Sequence, residues 1–135
     1  MAAVVPVAEI DSGAGNVALE IETGINNFVS YTVGLFDLAA NDYVKDASGK
    51  PKQWSGHDAP GDNTHPVIDL GAASGLVGKR VVVATQLVVR DPVDDVEYRC
   101  DVSIKQGPKT LAADAHVVNK AADLLFYGQI WIDCK

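Results

Sequence analysis

The chain has 135 residues, 47% of them hydrophobic and 21% charged, with eighteen acidic against eleven basic side chains and a formal charge of -7. That balance belongs to a globular chain of one-domain size and excludes a disordered one. The negative field repels phosphate backbones and anionic headgroups, and no apolar run reaches the roughly 20 residues that span a bilayer. The expectation is a single domain over residues 1–135, with no nucleic-acid partner and no membrane span.

The opening Met1-Ala2-Ala3-Val4-Val5-Pro6 has no basic segment followed by a long apolar one, so it is not a secretory signal as written. It suits a cytoplasmic protein, or a secreted one in which Met1 replaces a removed signal. Residues 4–10 are rich in β-branched side chains and read as a strand, ended by the turn formers Asp11-Ser12-Gly13-Ala14-Gly15-Asn16. Gly13, Gly15 and Ala18 also spell G-x-G-x-x-A, but a pyrophosphate cradle needs a helix to start there. Instead Val17, Leu19 and Ile21 alternate with Ala18, Glu20 and Glu22, which is strand period and argues against a dinucleotide site.

In residues 26–38, Phe28, Phe36 and Leu38 share one parity, and Val29, Tyr31, Val33 and Leu35 share the other. Apolar groups on both faces predict a central strand or one covered by another subunit, with Tyr31 as a candidate interface residue. Residues 39–66 are dense in Asn, Asp, Gly and Pro and read as a long irregular loop, interrupted by short strands near 43–45 and 52–54. Long connections in compact domains are disproportionately functional, so the ligand-binding candidates are taken from here. They are Trp54 as an aromatic anchor, with His57, Asp58, Asp62, Asn63 and His65 as polar partners. Imidazoles and carboxylates are metal-ligand types, but their spacing matches no metal motif and leaves metal binding at 57–65 open.

Residues 67–70 read as a further strand and Gly71-Ala72-Ala73-Ser74-Gly75 as a turn; Ser74 does not sit in a G-x-S-x-G nucleophile elbow. Next come the two longest alternating runs. Val81, Val83, Thr85, Leu87 and Val89 share a face, and so do Val96, Tyr98, Cys100, Val102 and Ile104. Between them, residues 90–95 supply Pro92 and the carboxylates of Asp91, Asp94 and Asp95, which predicts an antiparallel hairpin with one dry and one wet face. After the turn at Gln106-Gly107-Pro108-Lys109, Leu111, Ala115, Val118 and Ala122 recur at helical spacing, predicting one short helix in 111–123. The alternative there is a short strand at 115–118, with His116 as a structural side chain. The last run, 124–134, is apolar on both sides, and its Tyr127 and Trp131 project from one face about 13 Å apart, making them interface candidates.

Cys100 and Cys134 sit on inward parities without a zinc-type spacing. They read either as a disulfide contributing about 3 kcal/mol or as two buried thiols. About seven or eight short strands separated by turn clusters predict an all-β antiparallel sandwich of immunoglobulin-like or jelly-roll topology. No nucleophile motif or acid–base pair stands out, so the chain reads as a binding protein rather than an enzyme, with no cofactor. The first functional expectation is a lectin-like module recognising a carbohydrate or protein partner through residues 39–66. The second is a structural protein acting as a homo-oligomer, and the third is a metal-dependent enzyme at His57, Asp58, Asp62 and His65.

Overall fold

A computed structural model describes residues 4–61, 65–89, 96–118 and 125–135. Among them the backbone forms, in chain order, β1 (Val7–Ala8), β2 (Asn16–Thr23), β3 (Phe28–Asp37), β4 (Asp42–Tyr43), β5 (Gln53–Asp58), β6 (Val67–Ala72), β7 (Lys79–Val88), β8 (Tyr98–Gln106), β9 (Lys109–Val118) and β10 (Leu125–Cys134). One sheet runs β1-β10-β7-β3-β4, with β5 also paired to β3; the other runs β6-β2-β8-β9. Every pairing is antiparallel except that of β1 with β10, which is parallel. The predicted all-β sandwich is therefore the observed fold. The placement of β2 beside β6, and of β3, β7 and β10 side by side, matches that of strands B–E and C–F–G in an immunoglobulin-type sandwich. The β8–β9 hairpin, inserted between β7 and β10, takes the other flank of β2.

Period two decides which side chains are dry. Val17, Leu19 and Ile21 of β2, Val81 and Val83 of β7, and Val102 and Ile104 of β8 are all fully buried between the layers. Each such side chain contributes on the order of 1.5–3 kcal/mol relative to exposure. Both cysteines belong to this core as free thiols, so the disulfide alternative is not the observed one. Burial pushes Cys100 up to about 12 and Cys134 up to about 11.

Two sequence expectations are corrected and a third is extended. Residues 81–89 and 96–104 have the predicted dry faces but do not pair as a hairpin: β7 lies between β10 and β3, whereas β8 lies between β2 and β9 in the opposite sheet. Alternation fixes a strand's buried face and is silent on its neighbour. The predicted helix is replaced over 109–118 by β9, because pairing along the whole of β8 outweighs the weak helix preference of its alanines. Residues 119–123 of that expectation lie outside the described residues. The two short strands expected within 39–66 are present, the first as β4 with a bridge between Lys45 and Pro51 and the second as β5, which runs longer than expected, to six residues.

The inner row at the middle of the larger sheet is polar. Gly56, Tyr31, Thr85 and Gly128 lie in register across β5, β3, β7 and β10. The Thr85 hydroxyl meets His116 Nδ1 at 2.8 Å, tying the larger sheet to β9 of the smaller one. At the opposite flank, buried Asp58 accepts the Thr23 amide at 3.1 Å and contacts His65 Nδ1 at 2.9 Å, a second tie between layers. Among the described residues no helix is long and apolar enough to cross a membrane.

Candidate functional site

The residues singled out from 39–66 are separated by the pleat of β5. Trp54 and Asp58 point inward and His57 points out. Trp54 is half-buried against the core, with the Lys52 ammonium 5.4 Å from its ring centroid, so it is not an open aromatic platform. Asp58 and His65 do come together, and His65 Nε2 also lies 3.6 Å from Glu22. The hydrogen bond with Asp58, aided by the charges of Asp58, Glu22 and Glu20 and opposed by burial, raises the His65 pKa above its ordinary value. This pair clasps two sheets. Among the described residues, no three His, Cys, Asp or Glu side chains converge as a metal ligand set. Asp62 and Asn63 lie outside the described residues.

The interface candidates divide in the same way. Tyr31 faces inward, is 8% exposed and belongs to the core, so its expectation as an interface residue is corrected. The parity of β3 makes Phe28, Ser30, Thr32 and Gly34 its outer residues instead. Tyr127 and Trp131 stand on the outer face of β10, 74% and 43% exposed.

Pairing of β3, β7 and β10 collects these outer residues into ordered rows. Ser30, Gln86 and Tyr127 form one row, Thr32, Ala84 and Gln129 the next, then Gly34, Val82 and Trp131, then Phe36, Arg80 and Asp133. Tyr43 reaches the same face from β4. Its strand is reversed out of β3 by a turn in which Asp37 Oδ1 accepts the amides of Ala39 and Ala40, at 3.0 and 3.2 Å, and Asn41 takes a positive φ of 53°. Asn tolerates that left-handed conformation better than most residues. Gly34 lacks the Cβ that would sit 3.3 Å from the Tyr43 ring, which lets the ring approach β3, edge-on to Phe36 at 5.2 Å.

The result is a depression of about 300 Å³, bordered by Tyr43 and Asn41 on one side and by Trp131 and Gln129 on the other, with Phe36, Val82 and Arg80 between. A second depression of about 210 Å³, on the same face, lies beside Tyr127 over Ser30, Thr32, Ala84 and Gln86. Arg80 donates from Nε and Nη2 to the two Asp133 oxygens at 2.6 and 3.1 Å, and its guanidinium rests 4.7 Å from the Trp131 ring centroid. Its charge is thus neutralised where it stands, and the bond to Asp133 raises its pKa further. Hydroxyls and amides fill the intervals: Thr32 Oγ1 and Ser55 Oγ are 3.1 Å apart, Gln86 Nε2 donates to the Tyr127 hydroxyl at 3.4 Å, and Trp131 Nε1 donates to Gln129 at 3.1 Å.

Chemically, this surface has rigid aromatic area interleaved with neutral donors and acceptors. Among the described residues that line its two depressions there is no Asp, Glu, His or Cys. Cys100 lies directly opposite His116 across β8 and β9, which resembles a nucleophile and base on paper. Full burial and a pKa of about 12 keep that thiol protonated and out of reach. Sequence reasoning found Tyr127 and Trp131 and missed Phe36, Asn41, Tyr43 and Arg80. The shared parity of Phe28 and Phe36 was the available signal, but only the placement of β7 between β3 and β10 makes one surface of them. Comparison of the chain with known protein families, with curated proteins and with solved structures finds no match.

Proposed function

We propose that this chain is a non-enzymatic carbohydrate-binding module whose ligand lies on the outer face of the six-stranded sheet. The observation that carries the reading is the cleft between Tyr43 and Trp131, with its border of Asn41 and Gln129. A pyranose ring offers an apolar C–H face and a rim of hydroxyls. Aromatic side chains meet the first, and planar amides and hydroxyls meet the second. The partner thus sits on the sheet with one wall from the 39–66 segment, rather than on a loop anchored by Trp54.

Intrinsic tryptophan fluorescence during titration with a glycan panel tests the reading. Binding is expected for wild type and expected to be lost in Trp131→Ala, while Trp54→Ala retains it. Absence of a response to every glycan would reject it.

The same face supports a second reading, self-association, because Phe28 and Leu125 extend its exposed apolar area beyond the cleft. Light scattering at increasing concentration separates the two. A stable dimer dispersed by Tyr127→Ser with no glycan response would favour the second.

A further inference from the structure

Resting on the carbohydrate reading, we infer that the ligand is an uncharged, linear oligosaccharide running along β10, from a primary subsite at Trp131 to an extension subsite at Tyr127. Three observations carry this. First, Tyr127 and Trp131 are four residues apart on one strand and share its outer face, which separates them by about 13 Å, longer than a single sugar ring. Second, the row between them is Thr32, Ala84 and Gln129: the residues beside β10 are small, and the exposed Gln129 amide lies midway along the strand to bond a bridging unit. The depressions at its two ends belong to the same face. Third, the charge is wrong for an acidic glycan. Among the residues that line the two depressions, Arg80 is the one Lys or Arg. Asp133 occupies it bidentately. His57 lies on β5, at the far end of the Tyr127 row, and the chain as a whole carries -7. A uronate or sulfated polymer meets repulsion, with no unpaired Lys or Arg among the residues lining the two depressions to offset it.

The test uses the intact chain and isothermal titration with neutral β-linked glucan, xylan and mannan oligosaccharides of one to six units, alongside oligogalacturonates of equal length. For one neutral series, affinity is expected to rise about tenfold or more between two and four units and then level off. Tyr127→Ala is expected to bring the tetrasaccharide down to the affinity of the disaccharide while leaving the disaccharide unchanged. Trp131→Phe weakens every length, and thermal unfolding confirms that both variants are folded. A length-independent affinity, an unaltered tetrasaccharide in Tyr127→Ala, or tighter binding of the uronates would overturn this inference while leaving the carbohydrate reading standing. No binding of any sugar would overturn both.

Discussion

At Gly56 an added Cβ would lie 2.6 Å from the Tyr31 hydroxyl oxygen, and at Gly128 it would lie 2.7 Å from the nearest His116 ring atom. These glycines flank the polar middle of the core, and each leaves the space that a neighbouring ring fills. Gly128→Ala is accordingly expected to lower unfolding stability by about 1–3 kcal/mol in urea titration, since His116 cannot move without leaving Thr85. Gly75→Ala, which meets nothing within 4 Å, serves as the near-neutral control. The two inter-sheet histidines respond to pH with opposite signs. Burial holds the His116 pKa below 6.5, so an unfolded chain binds its proton more readily. Its contribution is complete above about pH 6.5 and is lost as pH falls toward the folded value. The Asp58 hydrogen bond holds His65 above 6.5, so its contribution is complete below about pH 6.5 and is lost as pH rises through the folded value. Melting curves from pH 5 to 8 should show His116→Gln removing the acid-side loss and His65→Gln removing the decline on the basic side. Unchanged profiles in both variants would refute this assignment. Some of this was legible in the sequence, because His65 and Asp58 were named together. Their role was not: a clasp between sheets depends on Thr23, a residue far away in the chain.

Strand faces were easier to read than strand partners. Leu19, Ile21, Val83, Leu87, Val102 and Ile104 all take the side that alternation assigned to them, because one layer of apolar groups must leave water whichever strand lies beside it. Partnership instead depends on how the chain crosses between sheets, and nothing in the period-two pattern of β7 or β8 records that β7 joins β3 and β10. The same gap hid the site, whose aromatic members come from β3, β4 and β10. A crosslink tests the pairing directly. Ala84 and Gln129 are register partners on the outer face, so an Ala84→Cys, Gln129→Cys double variant places two thiols within reach of a disulfide. Mild oxidation of the folded protein should close that bond, seen as a loss of two hydrogens by mass spectrometry. Ala84→Cys with Asp101→Cys, the pair that a hairpin about residues 90–95 would place opposite each other, should stay reduced, because β8 belongs to the other sheet. The reverse outcome would restore the hairpin.

Over the whole molecule, two properties oppose each other. The outer face of the larger sheet leaves Phe28, Leu125, Tyr127 and Trp131 open to water. The chain carries a formal charge of -7 at pH 7, with a sequence pI of about 4.7. At neutral pH like charge keeps copies apart, while low salt makes that repulsion reach further than the contact range of the apolar face. Acidification toward pH 4.7 removes the repulsion without altering the apolar area. Static light scattering from pH 8 to pH 4.5 should therefore show the interaction between molecules turning from repulsive to attractive as the pI is approached, and turning earlier in 0.5 M salt. A Tyr127→Ser, Trp131→Ser double variant separates charge from surface: it keeps the same net charge, so any attraction that it loses belongs to the aromatic face. If the double variant associates as strongly as wild type at every pH, attraction arises elsewhere, for instance from loosening of the His116 edge in acid. In that case the exposed face contributes little to self-association, and its exposed aromatics are better explained by a ligand than by a second copy.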